Sequence, residues 1–200
     1  FVYRLVTCGT VEEKMYARQV WKECVNKQVV EKKTITKHFT RDDLKEIVDY
    51  AAARHVTVVP EIDLPGHTLS ALAAYPNLAC VPTNIVPRAA GTVWGIYPDV
   101  LCLGNDETVR FIEKVLDYVC EVFPSKVVHI GGDECPSVRW EKCPKCRARM
   151  AREGLSKPGE LQTWITRHMS AYLEKKGRRL MGWDEILNGE LPKSAIGQSW

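Results

Sequence analysis

Four short apolar runs punctuate the chain: VTVVPEIDLPGH (56–67), KVVHIGGDE (126–134), RRLMGWDEI (178–186) and SAIGQSW (194–200). The first three follow RDDLKEIVDYAAARH, DETVRFIEKVLDYVCEVF and GELQTWITRHMSAYLEKKG, whose apolar residues recur at helical spacing. A strand reached through a helix of that length has room for a crossover, so the alternation constrains the chain to βα units and a parallel sheet. Helix starts are marked as well, by Thr40 with Asp43 at a capping-box spacing and by the turn LGN before Asp106. Polar and aromatic residues gather just beyond the C-terminal end of each run: Asp63 and His67, Asp133 and Glu134, Trp183 with Asp184 and Glu185, and Trp200. A (β/α)8 barrel builds its ligand site at that end of its strands. A doubly wound sheet instead collects ligands at one switch point, and no glycine-rich phosphate loop is present. The expected fold class is therefore α/β: a partial barrel of about four of the eight βα units over residues 38–200. Residues 1–37 differ in texture and are expected to form a strand–helix appendage with no acid at a strand tip.

Composition sets the outer limits. A chain of 200 residues, 45% hydrophobic and 26% charged, carries enough apolar surface for one good core. Its net charge of +3 comes from interspersed residues of both signs, so no nucleic-acid footprint is expected. No apolar run approaches the roughly 18 residues of a membrane helix, and no charged-then-apolar leader opens the chain. Phe1 begins within a strand-like run and Trp200 falls on a strand tip, which reads as a segment of a longer polypeptide. The oligomeric state is not legible.

The stretch VVHIGGDECP (127–136) carries the chemistry. Side chains of consecutive strand residues point to opposite faces, so Asp133 and Glu134 serve one pocket only if the backbone leaves strand geometry before them. Gly131 and Gly132 permit that departure. Two carboxyls crowded at a barrel mouth raise one another's proton affinity, leaving a neutral acid beside an ionised one, the arrangement that glycoside hydrolysis uses. The bland alternative is that the pair caps the following helix. His67, Trp183 and Trp200 would add an imidazole and two indole walls, a lining that suits the apolar faces of a sugar ring. His129, inside its strand, reads as a buried structural residue.

Eight cysteines are scattered through core-forming segments, which reads as buried thiols more than as a disulfide scaffold. Cys80 and Cys102 sit in loop-like segments and would pair in an oxidising compartment. CPKC (143–146) is half of a zinc site, and the spacing back to Cys135 fits no common second half. The expectation is no metal and no cofactor.

HFTRDDLKEIVDYAAARHVTVVPEIDLPGH, LAAYPNLAC, WGIYPDVLCLGNDET, HIGGDECP, RW with CPKCRARM, GRRLMGWDEIL and the closing SW resemble, in order, segments of the catalytic barrel of family-20 glycoside hydrolases, the β-N-acetylhexosaminidases. The resemblance spans about residues 38–200. It implies substrate-assisted, retaining hydrolysis of terminal β-linked N-acetylhexosamine, an exception to the two-carboxylate scheme. Glu134 would then be the general acid and base, and Asp133 would orient the 2-acetamido group. His67, Trp183 and Trp200 would belong to the substrate site, with Asp63 and Asp184 supporting them. The implied partner is a glycan or glycoconjugate bearing N-acetylhexosamine, and the implied location is exported, periplasmic or lysosomal. An arginine, an aspartate and a final set of tyrosine, aspartate and tryptophan from the family's other strands have no counterpart in this chain. The alternative reading is accordingly an inactive sugar-binding fragment or a chimeric chain. Residues 1–40 resemble the segment after the last helicase motif of Swi/Snf-type chromatin-remodelling ATPases, without a phosphate-binding loop.

Overall fold

The computed structural model describes residues 40–81 and 95–199, and it divides into two compact units, Phe1–Val58 and Val59–Trp200. The sequence expectations for residues 1–39 and for Trp200 lie outside the described residues. In the first unit, α1 (Arg41–Ala52) starts as its sequence dictates. Asp43 N–H donates to the Thr40 hydroxyl at 3.1 Å, and Thr40 N–H donates to the Asp43 carboxylate at 2.9 Å. This reciprocal capping box satisfies two amides that the first turn leaves without partners.

The second unit is a parallel sheet backed by helices. Strands β1 (Val127–His129), β2 (Arg179–Trp183) and β3 (Ile196–Gln198) lie side by side in chain order, with Val128 opposite Leu180 and Gly182 opposite Gly197. On the other side of β1, Glu61 forms a parallel bridge to His129, flanked by Ile62 N–H to His129 O and Leu64 N–H to Ile130 O, both 2.9 Å. Four consecutive chain segments thus neighbour one another without reversal of order, which is the arc of a barrel and not the switch of a doubly wound sheet. The run 56–64 pairs less than its sequence suggests. Pro60 has no N–H to give and offers only its carbonyl, which accepts from His129 N–H at 2.9 Å.

Helices α3 (Asp106–Val122) and α6 (Glu160–Lys175) are the crossovers. Val109, Ile112, Leu116 and Val119 form the buried stripe of α3, and Leu161, Ile165, Met169 and Leu173 that of α6. The two helices run parallel, as successive βα units require. Glu113 meets His168 at 2.8 Å and, one turn on, Asp117 accepts from Tyr172 at 2.7 Å and pairs with Lys176 at 2.6 Å. Between these units, residues read only as motifs form three further helices: α2 (Leu69–Ala74), α4 (Val138–Lys142) and α5 (Pro144–Glu153). No helix among the described residues is long and apolar enough to cross a membrane.

Leu116 is fully buried at the centre of the α3 stripe, so Leu116→Ala removes packing that cannot be refilled. Urea unfolding is expected to show a loss of about 2–5 kcal/mol. Tyr118→Ala, on the exposed side of the same helix, should stay within about 0.5 kcal/mol.

Candidate active site

The backbone after β1 departs from strand geometry at once. Gly131 and Gly132 have φ of 66° and 92°, and Glu134 itself sits at φ 46°. A Cβ at residue 131 would collide with the Asp63 carboxylate, and one at residue 132 would stand 2.6 Å from Ile186 Cγ2, so both steric room and dihedral angle call for glycine. Positive φ at a residue with a side chain, as at Glu134, is uncommon and is held here by its surroundings. Its N–H donates to Glu185 Oε2 at 2.6 Å, and Gln162 of α6 donates to the Gly132 carbonyl at 2.6 Å.

The result is convergence. Asp133 Oδ2 lies 3.6 Å and Glu134 Oε2 3.5 Å from the same atom, His67 Nε2. Consecutive residues that would diverge in a strand therefore face one point. The capping alternative does not describe them, since α4 begins at Val138 behind Ser137 and takes no side-chain cap. His67 reaches the pair from its own positive-φ position, 50°, at the end of the Glu61–Leu64 segment. Gly66 lets that turn press against the acids' backbone: a Cβ there would lie 3.3 Å from the Asp133 carbonyl oxygen.

Asp63 stands beneath the pair and accepts from Gly132 N–H at 3.2 Å. Burial, helped by the negative charges of Asp133 and Glu61 and opposed by the Gly132 hydrogen bond and His67, raises its pKa to about 6. The Asp133 Oδ1 atom is buried without a protein partner, an acceptor left for something outside the chain. Trp183 at the tip of β2 donates its indole N–H to Glu61 Oε1 at 3.1 Å and meets the buried His129 ring edge-on at 5.0 Å. His129 is buried, and its Nδ1 lies 3.0 Å from Gly131 N and 3.2 Å from Glu61 Oε1.

Asp63, His67, Asp133 and Glu134 thus form one group. Trp183 is tied to its edge through Glu61, and Asp184 opens the 3-10 turn Asp184–Asn188 that follows β2. Glu61 and Glu185 join the site as well, although the sequence assigns neither a role and places Glu185 only as a strand-tip acid beside Asp184. Each carried a signal: both are acids at strand tips, in PEID and WDE. A cleft of about 680 Å³ lined by Pro76, Asn77, Glu107 and Lys145 includes none of the converging acids. The convergence, not cavity size, marks the site.

Comparison with known proteins gives the family. The glycosyl hydrolase family 20 catalytic domain matches residues 4–200. The chain belongs to that family. The match takes in residues 4–39 as well, so the family 20 assignment replaces the Swi/Snf-type reading expected there. A β-hexosaminidase of Porphyromonas gingivalis (strain ATCC BAA-308 / W83) is 48% identical over 162 residues, 81% of this chain and 20% of the relative. Among solved structures, Flavobacterium johnsoniae chitobiase superposes with a TM-score of 0.75 at 37% identity, over 82% of this chain and 24% of that one. The exo-β-N-acetylglucosaminidase of Vibrio harveyi in complex with N-acetylglucosamine gives a TM-score of 0.70 at 31% identity, over 84% and 28%. The family 20 neighbours establish a TIM-barrel-type α/β fold for this chain, which spans about a fifth to under a third of these relatives.

A protonated Asp63 leaves a signature in stability. Its folded pKa, about 6, is above the value of 3.8 expected when unfolded. The stability that its proton supports is present below about pH 3.8 and is lost as pH rises through about 6. Chemical denaturation of Asp63→Asn should therefore fall less between these two pH values than that of the parent chain. Parallel profiles would show that Asp63 titrates normally in the fold.

Proposed function

We propose that this protein hydrolyses terminal, non-reducing β-linked N-acetylhexosamine, with Glu134 and Asp133 as its catalytic residues. The observation that carries this reading is the convergence of both carboxylates on His67 Nε2. Glu134 protonates the glycosidic oxygen as the bond to the anomeric carbon breaks. The substrate's own acetamido carbonyl oxygen attacks that carbon, forming an oxazolinium ion, and the aglycone leaves with the proton. Asp133 accepts from the acetamido N–H and balances the charge that develops on the ring, a task suited to its unpartnered buried Oδ1. Water, deprotonated by Glu134, then opens the oxazolinium ion with overall retention. Because the nucleophile belongs to the substrate, no protein carboxylate is needed opposite the leaving group.

In this reading His67 holds the two acids in one orientation, and the Trp183 indole walls the acetamido pocket, its plane fixed by the hydrogen bond to Glu61. Trp200 is assigned the same role from sequence alone. Asp63 and Asp184 support the pocket from below and beside. The catalytic segment is residues 38–200, about four βα units of the barrel. Residues 1–37 are assigned no step in the reaction. The proposed partner is a glycan or glycoconjugate ending in N-acetylhexosamine, consistent with N-acetylglucosamine bound by the Vibrio harveyi structure. Neither nucleic acid nor a membrane enters the reaction.

A chromogenic aryl β-N-acetylglucosaminide, run beside the matching glucoside without the acetamido group, tests this reading. Only the former is expected to turn over, and Glu134→Gln should lower kcat by about 10²–10⁴-fold. Equal hydrolysis of both substrates would remove the substrate-assisted mechanism. Saturable binding of the sugar without turnover by the folded chain would instead favour the sugar-binding alternative.

A further inference from the structure

Cys135 supplies no second half to CPKC, but the fold brings two other cysteines to it. Cys143 and Cys146 meet Cys80 and Cys102, residues far away in sequence, while Cys135 is absent from the group. All four thiols are free, and the four sulfurs lie within 4.8 Å of one another. Cys102 Sγ is 3.7 Å from both Cys143 Sγ and Cys146 Sγ, and Cys80 Sγ is 3.7 Å from Cys146 Sγ. A disulfide needs sulfurs about 2.05 Å apart. A regular tetrahedron of thiolates at the zinc–sulfur distance of about 2.3 Å has edges of about 3.8 Å. The observed spacings match the tetrahedron.

The surroundings are built to bring these four residues together. Cys143 is the N-cap of α5, Pro144 occupies its first position and Cys146 its first turn, so one helix start presents two sulfurs. The loop carrying Cys102 presses against that start at Gly104, where a Cβ would collide with the Lys145 carbonyl group and Cys146 N. Two clamps hold the approach. The buried Trp140 donates its indole N–H to the Leu101 carbonyl at 2.9 Å, and Arg149 of α5 pairs with Asp106 at the start of α3. The Cys80 segment is joined to the same loop by the antiparallel bridge between Ala79 and Leu101 and by Cys102 N–H to Leu78 O at 2.8 Å. Cys102 and Cys146 are fully buried and Cys143 nearly so. Four ligands from the protein close the coordination shell, which is the pattern of a structural site and leaves no open position for chemistry.

We propose that Cys80, Cys102, Cys143 and Cys146 bind one zinc ion as a structural tetrathiolate site, apart from the Asp133–Glu134 centre. Four thiolates around a divalent cation carry two net negative charges. The ion ties the segment after α2, the loop before α3 and the start of α5 into one unit. It does so at the positions where the chain connects its βα units through loops rather than through sheet.

Elemental analysis of the full chain, purified under reducing conditions and passed through gel filtration, is the test. One zinc per chain is expected, falling to background in Cys143→Ser/Cys146→Ser and staying at one in Cys135→Ser. Replacement of the native ion by cobalt(II) in the unsubstituted chain reads the site without depending on how a variant folds. It should give the intense visible bands of a tetrahedral ion and a near-ultraviolet thiolate-to-metal band. Zinc at background in the reduced chain together with no cobalt thiolate band would overturn the proposal. So would iron in place of zinc, disulfides detected by mass among these four cysteines in the reduced preparation, or one zinc retained by a folded double variant.

Discussion

The site depends on one backbone constraint, the close approach of Asp63 to Gly131. With no Cβ at residue 131, the carboxylate of one strand tip can occupy the space beside the next. Its hydrogen bond from Gly132 N–H then holds the chain in the left-handed turn that follows β1. That turn converts two acids that alternate in sequence into two acids that face a common point. The chemistry of the site follows from it: the shared distance to His67, the unpartnered Asp133 oxygen, and the half-buried carboxyl of Asp63. Burial of Asp63 works against its ionisation and so against a third full negative charge beside the pair.

The scaffold positions this geometry through the crossovers that deliver its strands. Helices α3 and α6 bury continuous apolar stripes, and polar contacts one turn apart fix their mutual register. α6 also reaches into the site directly, through Gln162 to the Gly132 carbonyl. The loops on the far side of α3 and α5 have no such sheet support. There the four cysteines, the Trp140 indole and the Arg149–Asp106 pair perform the joining.

Much of this was legible in the sequence where periodicity is strong. The α1 capping box, the stripes of α3 and α6, and the parallel order of the strands all follow from local pattern. The Gly131–Gly132 departure was legible too, since two neighbouring acids at a strand tip need it to share a pocket. What was not legible depended on long-range packing. Pro60 limits the pairing of the first strand segment in a way that an apolar run conceals. Glu61 and Glu185 are visible in the sequence as strand-tip acids, but their bonds to Trp183 and to a backbone amide emerge only in the fold. The cysteines show the same limit most sharply: CPKC is visible as a pair, but Cys80 and Cys102 become its partners only once Gly104 has let their loop approach.

The central claim is that Asp133 and Glu134 stabilise an oxazolinium-like state on the substrate's own acetamido group. The most direct measurement is the affinity of the folded chain for the thiazoline analogue of that ion, compared with N-acetylglucosamine, by calorimetry. Mimics of a high-energy state bind about 10²-fold or more tighter than ground-state ligands when a site is built for that state. The account predicts such a preference, and predicts that Asp133→Asn removes most of it while leaving the weaker sugar affinity nearly unchanged. Equal affinity for the two ligands would contradict it.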